Sequence, residues 1–408
     1  MDELDAILQQ RQSNMTGLTG KTIVLGVTGG IAAYKAAELV RLFVKAGATV
    51  HVAMTESATR FVTPLTFQAL SGNTVWVDQW DTRMSNGMAH INLTRQADLT
   101  VVAPATANFI AKLAHGNADD LLSTLCLARD CPLLVAPAMN RQMWSNAATQ
   151  RNIAQIRADG IDILGPDSGE QACGETGEGR MLEAAEICAA VVAYFQPKLL
   201  AGRRVLMTAG PTFEALDPVR GLTNLSSGKM GFALAQACAN AGAAVTLVSG
   251  PVSQATPIGV ARINVQSAMQ MREAVLKEAP RSDIFIGVAA VADYRPATTA
   301  VDKIKKSGET LSVEFIRNPD ILAEVAALPS APFCVGFAAE SRDLDTYAQG
   351  KLVAKKLQLV VGNLVQDGMG GDTNTVVLFD ATGRHPLPTS SKEELARDIV
   401  AHLSSLLS

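Results

Sequence analysis

Several absences narrow the function of this 408-residue chain before any motif is read. No uninterrupted apolar run reaches the roughly 18 to 20 residues that a membrane-spanning helix needs. The opening MDELDAILQQRQ is acidic and has no apolar signal core, so the sequence predicts a cytoplasmic protein. Cysteine is scarce and scattered. Cys126, Cys131, Cys173, Cys188, Cys238 and Cys334 form no C-x-x-C pair and have no histidines at zinc spacing, which argues against a disulfide framework or a structural metal. A strong charge of either sign is also missing: the formal net charge is -4, with 15 basic and 19 acidic residues up to position 200 and 20 of each after it. Neither half is built to hold nucleic acid or an anionic membrane.

What is present is core. At 48% hydrophobic residues, the chain can fill two or three domains. Short β-branched runs alternate with helical patterns: TIVLGV (22–27), a helix over 31–46, then TVHVAM (49–54), LTVVAPA (99–105) and PLLVAPA (132–138). This is the pattern of βαβ units around a buried parallel sheet. The Gly-rich stretch 165–181 has no period and reads as a flap, before a helix over 182–195. Pro197 interrupts, and RRVLMTAGP (203–211) restarts the same alternation. A helix over 229–241 and strands at 244–250, 283–290, 333–340, 359–363 and 375–380 follow, with a terminal helix after Ser390. The sequence therefore predicts an α/β protein of two Rossmann-like domains, 1–197 and 198–408.

In the first half, Gly26 to Ile31 joins a strand to a helix, where glycines let a phosphate approach backbone N–H groups. The spacing is not G-x-G-x-x-G, and Thr55 stands where a ribose-binding acid would end the next strand, so a mononucleotide phosphate fits better than a dinucleotide. Asn140, closing the APAMNRQMW strand, reads as a helix N-cap or a ligand contact. His90 and Cys173 complete a polar set, but no helix-borne Cys near the start and no nearby activating base support a papain-like triad.

The segments KTIVLGVTGGIAAYK, MAHINLTRQADL, APATAN, APAMNRQMW and QACGETGEGRM resemble, in order, the homo-oligomeric flavin-containing cysteine decarboxylases over about residues 1–195. That resemblance implies a flavodoxin-like domain binding FMN through Gly29, Gly30, Ile31, Thr55, Ala105, Thr106, Ala107, Asn108 and Ala138. It also implies trimers packed as dodecamers, with flavin between subunits. Losing CO2 from an N-acyl cysteine leaves a carbanion without an electron sink, and oxidising the thiol to a thioaldehyde supplies one. By resemblance, His90 acts in the oxidative decarboxylation, Asn140 holds the substrate carboxylate, and Cys173 donates a proton during reduction. A thiol of ordinary pKa, about 8.5, suits a donor.

In the second half, TNLSSGKMG (223–231) looks like a Walker A loop but fails it, since Gly221 is too distant and Met230 replaces the Mg2+-binding Ser or Thr. It reads as a Ser-capped helix start, with Arg220, Asn224, Ser226 and Ser227 placed to bind an anionic small molecule. Asp293 ends a strand where open α/β sheets bind ligands. The DKIKK run (302–306) and the helical Lys351, Lys355 and Lys356 suggest polyphosphate binding in a half of zero net charge.

These stretches, with AGPTFEALDPVR, AAVADY, RNPDI and GFAAE, resemble a phosphopantothenate–cysteine ligase. The whole chain is similar to the bacterial bifunctional family that joins that ligase to phosphopantothenoylcysteine decarboxylase. The resemblance implies CTP and Mg2+, an acyl-cytidylate intermediate stabilised by Asn224, its conversion assisted by Arg220, and charge neutralised by Lys303. It puts CTP contacts at Gly287, Val288, Ala289, Asp293, Lys303, Asn318, Pro319, Asp320, Ile321, Phe337, Lys351 and Lys355, with metal ligands unassigned and dimeric ligase domains. Gly221-Leu222 departs from the bulkier pair expected after Arg220, and a tail of about 18 residues, whose LDAILQQ start could be a helix, precedes the first strand. The alternative is a flavin-binding regulatory protein of the phosphatase-inhibitor type, but those carry long acidic tails and this chain has none.

Overall fold

The computed structural model describes residues 17–81, 89–172, 174–305, 309–364 and 371–407. The expected LDAILQQ helix and Cys173 lie outside them. Two compact units divide the chain, residues 1–195 and 196–408.

The first unit carries strands β1 (Thr22–Val27), β2 (Thr49–Met54), β3 (Val75–Trp76), β4 (Leu99–Ala105), β5 (Leu133–Pro137) and β6 (Asp162–Ile163) in one parallel sheet of order β3-β2-β1-β4-β5-β6. That is the Rossmann order; the flavodoxin order, 2-1-3-4-5, places its third strand on the other side of the first. Both are doubly wound, and the sheet needs apolar residues on both faces. Along β1, Ile23, Leu25 and Val27 enter one core with Phe43 and Leu39, while Val24 turns to the other with Val102, Phe109 and Leu122. The helix Ala33–Lys45 buries Ala33, Ala36, Leu39, Val40 and Phe43, a stripe at helical spacing. Truncating the fully buried Phe43 to Ala should cost about 3 to 5 kcal/mol.

The stretch expected to lack regular structure instead holds an antiparallel hairpin, β7 (Asp167–Glu170) and β8 (Thr176–Arg180). Its residues are polar or glycine, so no apolar alternation announces it. Backbone pairing and contacts with the strand-end turn hold it, including a hydrogen bond from Met139 N to Gly179 O at 2.9 Å.

The second unit repeats the plan. It contains β9 (Arg204–Ala209), β10 (Phe213–Ala215), β11 (Gly221–Thr223), β12 (Ala244–Ser249), β13 (Val260–Asn264), β14 (Ile284–Gly287), β15 (Tyr294–Pro296) and β16 (Phe315–Arg317). Then come β17 (Phe333–Glu340), β18 (Leu359–Leu364), β19 (Thr373–Asn374), β20 (Val377–Asp380), β21 (Gly383–Pro386) and β22 (Ser390–Ser391). The main sheet runs β13-β12-β9-β14-β17-β18-β20-β21, parallel from β13 to β18 and antiparallel beyond. The small pairs β10–β11 and β15–β16 stand apart from it. The terminal helix Lys392–Leu406 starts in a capping box between Ser391 and Glu394 and buries Leu395, Ile399 and Leu403.

Two local readings change. The strand expected over 283–290 ends at Gly287, and its continuation leaves the sheet, Ala290 forming an isolated bridge with Pro211. The helix Lys229–Asn240 is capped by Gly228 at φ 75° with no side-chain bond, rather than by serine. A Cβ there would strain the left-handed backbone and touch Val252 at 3.0 Å.

Candidate active sites

At the carboxyl ends of β1, β4 and β5, where the strand order reverses, the first unit opens a cavity of about 670 Å³. Gly29, Gly30, Ile31, Thr106, Ala107, Ala138 and Asn140 line it, as the sequence led us to expect. The glycine loop is held by Thr28, which donates to Pro104 O at 2.8 Å and accepts from Thr106 N at 3.1 Å. A Cβ on Gly29 would lie 2.3 Å from Ser57 Cβ and 2.9 Å from that residue's backbone carbon, so only glycine fits this turn. The loop, the mainly apolar walls and the exposed Ile31 and Tyr34 form a cradle that suits a flat aromatic cofactor with a phosphate tail.

The remaining expected flavin contacts lie elsewhere. Thr55 caps the short Glu56–Arg60 turn, accepting from Ala58 N at 3.3 Å; Ala105 is buried in the core; Asn108 is exposed on the helix Ala107–His115. His90 sits in the first turn of the helix Ala89–Gln96 and does not line the cavity. Its Nδ1 is buried without a hydrogen-bond partner among the described residues.

Asn140 serves both readings considered for it. It caps the helix Arg141–Ser145, its Oδ1 accepting from Gln142 N at 2.8 Å, and its Nδ2 donates to Glu175 Oε2 at 2.7 Å, in the turn of the hairpin. A carboxylate therefore already rests against this amide. The hairpin's far end is fastened by the buried Lys35, which donates to Glu183 Oε1 at 2.8 Å and to Met181 O at 3.3 Å. The Lys35 hydrogen bond holds the Glu183 carboxyl below its ordinary range. Lys35, Met181 and Gln171 are lining residues that sequence reading missed. The hairpin that brings Gln171 and Met181 has no apolar signature, and Lys35 sits on the helix Ala33–Lys45 among apolar neighbours.

In the second unit, a pocket of about 200 Å³ opens at the ends of β9, β14 and β17. Ten of the twelve expected nucleotide contacts line it: Gly287, Ala289, Asp293, Asn318, Pro319, Asp320, Ile321, Phe337, Lys351 and Lys355. Asn318 is buried, accepts from Arg295 at 2.9 Å and donates to Ala292 O at 2.8 Å, so the β15–β16 pair fixes its amide. Lys351 is pushed below the ordinary lysine range by burial and then by neighbouring Lys355. Asp320 moves down despite burial because it pairs with Lys355. Thr208 and Leu322 are lining residues that the motifs did not reveal, and Arg317 opens the RNPDI motif but is not among the contacts expected from it.

Val288 faces instead a second pocket, of about 150 Å³, at the start of the helix Lys229–Asn240. Ser226, Ser227, Gly228 and Lys229 line it with Ala290, Asn363, Asn374 and Lys392. Phe337 borders both pockets, and the segment after β14 alternates between them. Asn224 is among the lining residues of neither pocket, but its Nδ2 donates at 3.0 Å to the carbonyl of Ala290, which lines the second.

Arg220 and Lys303 line neither pocket. Their loops are tied together by buried Asp217, which accepts from Val219 N and Arg220 N at 2.8 Å, from the Arg220 guanidinium at 2.6 Å and from Ile304 N at 3.1 Å. Arg220 in turn donates to Ile304 O at 2.7 Å, which sets exposed Lys303 beside it in the chain. Burial alone would raise the Asp217 carboxyl, but these donors outweigh it and hold it well below the usual carboxylate range.

Comparison with known proteins agrees with this division. Residues 11–196 match the Flavoprotein family, and residues 200–407 match the DNA/pantothenate metabolism flavoprotein C-terminal domain. The coenzyme A biosynthesis bifunctional protein CoaBC of Vibrio cholerae is 54% identical over 395 residues, covering 95% of this chain and 99% of its own. Its namesakes in Escherichia coli, 50% identical over 93% of this chain and 96% of their own, and in Bacillus subtilis, 46% identical over 95% and 98%, extend the likeness to distant bacteria. The chain belongs to the family of coenzyme A biosynthesis bifunctional proteins, CoaBC.

Proposed function

We propose that this chain converts 4′-phosphopantothenate, cysteine and CTP into 4′-phosphopantetheine, its residues 198–408 acting as the ligase and residues 1–197 as the decarboxylase. Family membership along nearly the whole chain supports the pairing of two activities. The observation that carries the ligase reading is the partition between two adjoining pockets, with the Asn224 amide anchored on it. CTP occupies the lysine-lined pocket, and the phosphopantothenate lies against the helix start at Gly228. The acid's carboxylate oxygen then meets the α-phosphorus across residues 287–290, forming the acyl-cytidylate as pyrophosphate leaves. Attack by the cysteine amine on the acyl carbon releases CMP and gives the amide. Asn224, held by Ala290 O, presents its amide beside the acyl phosphate, and a fixed donor at a developing charge is worth about 3 to 4 kcal/mol. Arg220 and Lys303, whose loops Asp217 ties together, supply positive charge, Lys303 as the intermediate forms and Arg220 as it is converted. Mg2+ arrives with the nucleotide's phosphates, as it does where carboxylates are few. Asp293 lines the same pocket as Lys351 and acts on it, its negative charge opposing the downward shift that burial imposes.

In the first unit the cavity's residues fit FMN: the glycine loop would hold its phosphate and the apolar wall would hold its ring. Bound flavin supplies a two-electron acceptor and donor, which lets the substrate thiol reach the thioaldehyde level before CO2 is lost and return afterwards. Asn140 receives the substrate carboxylate in the place now taken by the Glu175 carboxylate. Cys173 provides the proton that completes reduction. His90 is not among the lining residues of this cavity, and its Nδ1 has no partner among the described residues; on this reading it therefore acts in the site of a second copy, with flavin bound between subunits of a trimer. Trimers assembled as dodecamers, with paired ligase units, extend this reading. Light scattering on the purified protein tests it, and a monomer would refute it. Among the described residues no helix is long and apolar enough to cross a membrane.

The catalytic proposal is tested by supplying the substrates to the Asn224→Asp variant. The ligase product should disappear, while added phosphopantothenoylcysteine should still be decarboxylated. Undiminished ligation would refute the role of Asn224 and the partition reading with it.

A further inference from the structure

Far from both ligase pockets, Asp380, His385 and His402 bring three potential ligand atoms within 4.8 Å of one another. Asp380 ends β20, which runs antiparallel to β18 with Phe379 opposite Val360, so it lies beside the beginning of β18. The nucleotide pocket opens at the other end of the parallel strands. His385 comes from β21 across a tight turn, and His402 comes from the terminal helix.

The carboxylate is oriented as a ligand would be. Oδ1 accepts from Thr382 N at 2.7 Å, Thr382 Oγ1 at 2.6 Å and Gly383 N at 3.2 Å, while Nε2 of His385 also stands 3.3 Å from it. Oδ2 receives no backbone donor among these contacts. It faces only imidazole nitrogens, Nε2 of His402 at 2.7 Å and Nε2 of His385 at 3.3 Å. Asp380's side chain is 2% exposed, against 21% for His402 and 37% for His385, so the carboxylate is fixed below and the imidazoles border solvent.

We propose that Asp380, His385 and His402 bind one divalent transition-metal ion of the zinc type, which pins the terminal helix to the β20–β21 hairpin. Two imidazoles and one carboxylate are a donor set for such an ion, with a remaining position open to water. Zinc bonds of about 2.0 to 2.2 Å place tetrahedral ligands about 3.3 to 3.6 Å apart. His385 Nε2, 3.3 Å from Oδ2, already fits, while His402 Nε2 at 2.7 Å draws back and gives up its hydrogen bond as the ion enters. Held by Thr382 and Gly383, Oδ1 provides the outer hydrogen bonds that orient a metal-binding carboxylate. Cysteine spacing gives no hint of the site because no cysteine takes part. Position and donor set point to a structural ion, separate from the Mg2+ of the ligase reaction.

Calorimetric titration of zinc chloride into the chelator-treated, flavin-loaded full chain tests this, alongside His385→Gln and His402→Gln. The unaltered protein should bind one more equivalent of zinc than either variant and show a zinc-dependent rise in unfolding temperature that both variants lose. Ligase and decarboxylase rates should be the same in all three. Equal zinc stoichiometry and equal thermal response in the unaltered protein and His385→Gln would overturn the proposal. His385 is half-exposed on the edge strand β21, so that comparison stands even if His402→Gln impairs folding.

Discussion

Asn224, Asp217 and Gly29 each occupy a place whose chemistry their contacts specify. Replacing Asn224 by Asp should lower acyl-cytidylate formation about 100- to 1,000-fold, as expected when an oriented donor is lost at a developing charge. Single-turnover release of pyrophosphate reads this directly. Asp217 offers a pH test. Its carboxyl lies below the ordinary range in the fold, so its contribution to stability is full above the unfolded value of about 3.9 and is lost as pH falls through the folded one. Thermal unfolding followed from neutral to acid pH should show this loss, and Asp217→Asn should flatten the profile while slowing ligation through the loosened Arg220. Gly29→Ala forces a Cβ into Ser57 and should strip flavin, measured by visible absorbance, while leaving ligation intact. Asn140 was legible in the sequence because a polar side chain closing a buried strand marks either a helix cap or a ligand contact. Asp293 reads the same way, although its strand ends at Gly287, and Asn318, after the exposed β16, comes only with the family resemblance. Thr55 and Asn108 are not among the residues that line the cavity. A residue near a glycine loop in sequence can cap a turn or face solvent, and spacing does not distinguish these.

The elements that position the sites differ in how openly the sequence declares them. Strands such as TIVLGV and AVTLVS are continuous apolar runs, and both sheets follow from them. The hairpin over 167–180 does not, because DSGE and TGEGR carry no apolar face and form through backbone bonds to the turn at Met139. Gly179 makes that contact possible: it has φ 127°, and a Cβ would lie 2.4 Å from Met139 O. Gly179→Ala should lift the hairpin from Asn140 and reduce decarboxylation at least about tenfold, since misplacement by an ångström can cost more. Steady-state turnover of phosphopantothenoylcysteine, with ligation as the internal control, checks it. On the helix Leu344–Ala354, burial and Lys355 lower the Lys351 pKa, so its charge is lost earlier on the alkaline side than that of an ordinary lysine. The KM for CTP should therefore rise as pH increases, and Lys355→Met, by removing the neighbouring charge, should move that rise to higher pH.

At the scale of the whole molecule, two units of the same doubly wound plan carry unlike sites because their loops differ. One places a glycine turn and a polar hairpin around a wide, mainly apolar cavity, and the other divides a lysine-lined pocket from a helix start. The motifs reached both units and most of their linings. They could not show the metal-ligating trio at the far edge of the second sheet, whose members meet only after the terminal helix packs. The most direct test of the central claim is a mass spectrum of the mixture after the purified chain meets 4′-phosphopantothenate, cysteine, CTP and Mg2+. A 4′-phosphopantetheine peak, with CMP and pyrophosphate, is the predicted result; the absence of both that product and the acyl-cysteine intermediate would contradict the account.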